Sequence, residues 1–530
     1  MRKLFVVLFL SVTLLSYGQD KVDVLHYKFS IELNDKNDTI YGTASVQLKI
    51  LSAIESIKLD LVKRNDAGKG MLVDSIMGKG IRGFVKDPDY VRIFLLPGAG
   101  PAVNDTVTYT IKYHGVPADG LIISKNKYGK RTFFADNWPN RAHNWIPCVD
   151  DPADKASVEF LVTAPSHYQV ISNGVQVEET NLPDNKKLTH YKEEVALPTK
   201  VMAIGVADFA VNLAGEINCV PVYSWVYPEN KKDGFYDYAL AKDILSFYIN
   251  YIGPFPYKKL ANIQSKTIFG GMENAGAIFY SESSISGTRH AEYLLAHEIV
   301  HQWFGDMATE KSFPHLWLSE GFATYLTHVY AESKLGSEKL NERMKQDRDQ
   351  VIDFVKTANK PVVDSSSATM ALLSPNSYER GGWVLHMLRR QLGDSAFHRS
   401  VRSYYDLYKG KNADTKDLQT VFEKVSGKKL DTFFRQWLYT SDIPQLGITW
   451  KYSEKQKTVS VTVTQLQKGG VFSFPLDISI QGTENPPVIS TRMVNKGTET
   501  FVFPAKTKPA IVTIDPFVSL LFDGSVTEIK

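Results

Sequence analysis

The hydrophobic period of this chain changes twice, and no other feature limits its fold so strongly. From Lys21 to about Leu213 it runs in short alternating segments such as Ala44-Ser45-Val46-Gln47-Leu48-Lys49-Ile50 and Val107-Thr108-Tyr109-Thr110-Ile111-Lys112-Tyr113, divided by Asn, Asp, Gly and Pro clusters. Alternation between turn residues predicts antiparallel sheet exposed on one face. From Phe235 to about Tyr439 the period becomes helical, opening with Tyr238-Ala239-Leu240-Ala241 and closing with Phe433-Phe434-Arg435-Gln436-Trp437-Leu438. Alternation returns from Gly447, as in Thr458-Val459-Ser460-Val461-Thr462-Val463. The expectation is an α+β multidomain chain: an N-terminal antiparallel β-domain over 19–213, a mostly helical middle over 214–440 and a C-terminal β-domain over 441–530. A length of 530 residues suits three or four cores of ordinary size.

Composition excludes more than it selects. A formal charge of +3 from 61 Lys+Arg and 58 Asp+Glu steers the chain toward neither nucleic acid nor an anionic membrane. Two cysteines cannot staple a protein of this size. Cys148 and Cys219 either pair in an oxidising compartment or stay as free thiols. At the N-terminus, Arg2 and Lys3 precede an apolar run from Leu4 to Leu15, then small residues at Ser16 and Gly18. This pattern predicts a secretory signal peptide over 1–18, cut before Gln19, and hence a secreted or periplasmic protein with no stable membrane anchor. The alternative, an uncleaved anchor, falls short of the ~20 apolar residues a bilayer needs.

The chemistry concentrates in the middle domain. Ala291-Glu292-Tyr293-Leu294-Leu295-Ala296-His297-Glu298-Ile299-Val300-His301-Gln302-Trp303-Phe304 is apolar nearly all round, which predicts a buried helix with Gly305 as its C-terminal cap. His297 and His301 are four apart, so both imidazoles leave one face about a turn apart, close enough to share a metal ion. Glu298 is offset by ~100° and lies beside such an ion, where it suits a general base. Two imidazoles leave zinc short of a ligand. Eighteen residues separate His301 from Glu320, the lone carboxylate in the apolar stretch His315–Tyr325. A buried Glu in that setting is costly unless it meets a cation, so Glu320 is the expected third ligand to one zinc ion per chain.

Two further segments refine the reaction. Gly270-Gly271-Met272-Glu273-Asn274 follows a strand-like Ser265-Lys266-Thr267-Ile268-Phe269. Paired glycines let a peptide backbone approach and add to the edge, and Glu273 would then meet its free α-ammonium. The alternative is a glycine-rich turn with a solvated Glu. Tyr378, in Ser377-Tyr378-Glu379-Arg380-Gly381-Gly382 before the amphipathic Trp383–Leu388, is placed to donate its phenolic proton to an oxyanion.

Taken together, His297-Glu298-x-x-His301, then Glu320, preceded by Gly270-Gly271-Met272-Glu273-Asn274 and followed by Tyr378-Glu379-Arg380-Gly381, resemble the aminopeptidase N family of zinc metallopeptidases. Gln302-Trp303-Phe304-Gly305-Asp306 and Pro147-Cys148-x-Asp150-x-Pro152-x-x-Lys155-Ala156 agree. The resemblance implies zinc on His297, His301 and Glu320, Glu298 as general base, Glu273 as amine anchor and Tyr378 as transition-state stabiliser. It further implies an N-terminal β-domain, a thermolysin-like catalytic domain that is mostly α with a small sheet, and a terminal β-sandwich. The expected activity is removal of N-terminal residues from peptides; the alternatives are a peptidase of relaxed end-specificity, an endopeptidase, and a non-catalytic peptide-binding protein. Two departures bear on that choice. The sequence closes after the last β segment, so a roofing helical domain is not expected and the cavity should be open. Where the family usually places a Gln or Glu that helps hold the amine, this chain has Trp138, with Asp136 and Asn137 as candidate substitutes.

Overall fold

The computed structural model describes residues 21–482 and 486–529, so the expected signal peptide lies outside the described residues. Among these residues no helix is long and apolar enough to cross a membrane. The N-terminal part is built on a seven-stranded sheet in which Ile40–Ile50 alternates buried and partly exposed residues as its sequence predicts. Val22–Glu32 pairs antiparallel with it and parallel with Lys155–Pro165. That one parallel pair departs from the antiparallel expectation; alternation reports which face is buried, not which way the neighbour runs. A second, four-stranded sheet is made of Gln169–Ser172, Ile204–Ala207, Arg131–Ala135 and Leu121–Lys125, two strands from before Lys155–Pro165 and two from after it.

This second sheet abuts the middle domain. Phe134 packs edge-on against Phe279 at 5.4 Å between ring centroids, and Lys200 forms a fully buried ion pair with Glu310. Lys155 donates through Nζ to the carbonyls of Asp306 (3.2 Å) and Met307 (2.9 Å). The strand Ala210–Ile217 runs across the expected 213/214 boundary and pairs with Val220–Val226. It opens a five-stranded sheet continued by Leu260–Ser265, Ala277–Ser281 and, at the edge, Gly271–Met272.

Nine α-helices are found among the described residues: α1 (Lys231–Tyr238), α2 (Ala241–Tyr251), α3 (Glu292–His301), α4 (Trp317–Leu335), α5 (Ser337–Ala358), α6 (Gly381–Leu392), α7 (Asp394–Tyr408), α8 (Thr415–Ser426) and α9 (Asp431–Leu438). α4 is the hub, with fifteen consecutive buried residues from Trp317 to Ala331. Gly321 and Gly381 let α4 and α6 touch backbone to backbone: a Cβ on Gly321 would lie 2.9 Å from the Gly381 Cα.

The C-terminal strands form a four-stranded and a three-stranded sheet whose alternate residues, including Ile448, Val461 and Ile478, enter one core. Arg348 of α5 bonds Asp515 (2.6 Å) and His386 of α6 donates to the Val518 carbonyl (2.7 Å), tying this part to the helices. Cys148 is buried and Cys219 exposed, and both are free thiols.

Candidate active site

The face that could hold a metal ion is set by α3 and α4 together. His301 Nδ1 donates to the Phe304 carbonyl (3.1 Å), with Ser319 Oγ 3.0 Å from the same nitrogen. A carbonyl can only accept, so the proton is on Nδ1 and Nε2 keeps its lone pair. That Nε2 lies 3.1 Å from His297 Nε2, and the two are 3.2 and 3.3 Å from Glu320 Oε2. Three donors sharing one zinc ion at ~2.0–2.1 Å in tetrahedral geometry stand about 3.4 Å apart. The observed triangle has that size, and two nitrogens with one carboxylate oxygen are a zinc donor set. Against the upward push of burial, His301 and His297 hold Glu320 well below the usual carboxylate range.

Gly305 does not cap α3 as expected. The helix ends at His301, and Gly305 (φ +123°) lies where a Cβ would strike Ser319 and sit 3.1 Å from His301 Nδ1. The glycine preserves room for the histidine's supporting bonds.

Glu298 is 5% exposed and faces the same cavity. A Cβ on Gly271 would collide with its carboxyl and Cγ, so the second glycine exists here to admit the Glu298 side chain. Burial pushes Glu298 well above the usual carboxylate range; His301 opposes this, and Glu273 and Glu320 add to it. Tyr378 stacks beside His297 with ring centroids 5.9 Å apart. It sits on a π-turn, Asn376–Arg380, pinned by the buried Arg380 guanidinium, which donates to the carbonyls of Thr440, Ser441 and Asp442. Burial, then Glu320, Glu273 and Glu298, raise the Tyr378 phenol well above 10, keeping it a hydrogen-bond donor.

The end of the cavity expected to take an amine is made by loops. The expected strand over 265–269 stops at Ser265, because Asp136 accepts from Thr267 Oγ1 and from the Ile268 amide at 3.0 Å each. Gly271–Met272 then pairs with Phe279–Tyr280 and leaves its outer edge free. Glu273 is buried at the cavity wall with Oε1 lacking any partner. Burial raises its carboxyl, Glu320 adds to this, and His301 and Lys200 oppose. Asn274 is fully buried and does not line the cavity, unlike Gly270, Gly271, Met272 and Glu273. Gln302, quoted from the sequence only as part of a motif, is the clamp. Its Nε2 donates to the Glu273 carbonyl and its Oε1 accepts from the Gly276 amide, both at 2.7 Å.

Asp136 and Asn137, the candidate substitutes at that end, do not line the cavity. Besides Thr267 and Ile268, Asp136 holds Arg141 (2.6 Å), while Asn137 bonds Trp145 and the carbonyls of Thr199 and Met202. Trp138 lines the cavity instead, edge-on to Phe269 at 5.9 Å and Phe313 at 6.1 Å. The whole cavity has a volume of about 510 Å³.

Residues 236–437 match the Peptidase family M1 domain and residues 24–201 the Peptidase M1 N-terminal domain. Probable aminopeptidase 2 of Sulfurisphaera tokodaii is 27% identical over 87% of this chain and 59% of its own. Glutamyl aminopeptidase of Homo sapiens is 24% identical over 85% of this chain and 53% of its own. The chain thus spans three-fifths or less of these relatives. The crystal structure of Legionella pneumophila aminopeptidase A in complex with aspartic acid superposes with a TM-score of 0.81 at 17% identity, covering 96% of this chain and 60% of that one, a likeness of fold.

Proposed function

Because the chain belongs to peptidase family M1, we propose that it is a zinc-dependent aminopeptidase, with one ion per chain, that removes N-terminal residues from peptides. The observation that carries this reading is the buried, unpartnered Glu273 oxygen in the same cavity as the His297–His301–Glu320 triad. A buried carboxylate with no cation is costly, and the α-ammonium of a peptide supplies one. The free edge of Gly271–Met272 lets the substrate backbone add as a strand. Zinc held by the triad would supply Lewis acidity at the scissile carbonyl and let water give up a proton near neutral pH. Glu298 takes that proton on its carboxylate and delivers it to the leaving amine nitrogen. Tyr378 donates its hydroxyl to the developing oxyanion. Glu273 fixes the amine, so the first peptide carbonyl is the one brought to Glu298.

Trp138 favours a second reading, relaxed end-specificity, since Glu273 then holds the amine without a polar neighbour at that position. Export through a cleaved signal peptide goes with either reading; a mature protein beginning at Gln19 would support it. The two readings separate on a free aminoacyl chromogenic substrate compared with its N-acetylated form. Strong preference for the free amine supports the aminopeptidase, and equal rates contradict it.

A further inference from the structure

The cavity continues past the triad along one face of α4, where Glu320, Thr324 and His328 follow at intervals of four and all line the wall. At its far end stands Arg343 of α5. Its Nε donates to His328 Nδ1 at 2.7 Å, so His328 carries its proton on Nε2 and donates it to Asp347 at 2.7 Å. The guanidinium also lies over the Tyr293 ring of α3, 4.2 Å from the centroid. Three helices therefore brace one cation. Among the described residues no carboxylate lies within ion-pair distance of it, and its two terminal nitrogens have no protein acceptor. Those nitrogens form the fork that binds a carboxylate with two parallel hydrogen bonds.

We propose that Arg343 binds a carboxylate of the peptide on the leaving-group side of the scissile bond, selecting short substrates by their free C-terminus. The inference rests on the aminopeptidase reading and extends it. Glu320 and His328 are eight residues apart on α4, or about 12 Å along the helix axis. An extended peptide covers that in roughly three or four residues. The buried His328–Asp347 pair spends its charge holding Arg343 from behind. Glu379, the other carboxyl lining the wall here, is pushed up to about 7 by burial, which reduces its competition for the guanidinium.

The test uses the zinc-loaded full chain and a ladder of two- to eight-residue peptides with a common N-terminal residue, each as free acid and as C-terminal amide. A third set carries the amide with one Asp or Glu walked along the leaving side. We expect kcat/KM to peak at intermediate length for the free acids, at least tenfold above the amides, chiefly through KM. Recovery by an acidic side chain in the amide set would locate the carboxylate on a side chain, and no recovery would locate it at the C-terminus. In Arg343→Gln the acid-to-amide ratio should fall to about one. Equal acid and amide efficiencies at every length in the wild-type protein overturn the inference without any variant, as does a ratio that survives Arg343→Gln. Failure to cleave any free-amine peptide would instead remove the aminopeptidase reading.

Discussion

The two halves of the candidate active-site cavity are built in opposite ways. At the proposed metal end the support comes from behind: His301 is held by Phe304 and Ser319, Glu320 stands on the buried hub helix, and Tyr378 rides on a turn pinned through Arg380. At the amine end a single carboxylate, Glu273, sits on a loop held through its backbone by Gln302, and its own oxygen is left without a partner. The first half is preorganised for an ion of fixed size. In the proposed reading the second leaves one carboxyl unpartnered for a substrate amine, so specificity there would depend on one interaction and on how well its loop is placed.

The largest effects should come from breaking the metal end. His301→Ala is expected to lose bound zinc and all measurable activity, read by metal analysis of the purified chain. Glu298→Gln should keep about one zinc per chain while turnover falls by ~10²–10⁴, the range for a general base; retained turnover would take Glu298 out of that role. Removing zinc from the wild-type protein with a chelator should abolish turnover, and adding zinc back should restore it.

Gly271→Ala joins the two halves, because its methyl group lands on the Glu298 carboxyl. We expect about a hundredfold loss in kcat with zinc content unchanged, and normal kcat would show that the loop yields. Gln302→Ala should release the Glu273 loop while leaving the triad intact. The expected result is a rise in KM of roughly tenfold and a stability loss of about 1–3 kcal/mol, as for a buried hydrogen-bond partner removed, measured by denaturant unfolding. The smallest effect should come from Trp138→Gln, which adds a polar group at the amine end. A few-fold gain in preference for free over blocked amines would sharpen the contrast, and no change would place Trp138 outside amine selection.

The difference between the halves also decides what could be read from the sequence. His297, Glu298 and His301 lie within one turn or so of one helix, and Glu320 is a lone carboxylate among large hydrophobes, so local spacing and burial logic expose all four. The amine end draws on residues around 136–138, 267–273 and 302, which only tertiary packing brings together. Periodicity therefore misreads 265–269 as strand, because nothing local reveals that Asp136 takes the Ile268 amide out of the sheet. It likewise misses Arg343, whose partners His328 and Tyr293 sit on two other helices. The spacing Glu320–Thr324–His328 is the signal in the sequence, three polar residues at intervals of four along one face of α4. The β–α–β order follows from period alone, whereas the parallel pairing of Val22–Glu32 with Lys155–Pro165 depends on where a long excursion returns.

The most direct measurement takes the wild-type protein and Glu273→Gln, both loaded with zinc to the same content, and compares kcat/KM on one peptide with a free and an N-acetylated amine. The expected free-to-acetylated ratio is at least about a hundred in the wild type and falls toward one in the variant, with zinc affinity unchanged. A ratio that stays high without the Glu273 carboxylate would contradict Glu273 as the amine anchor.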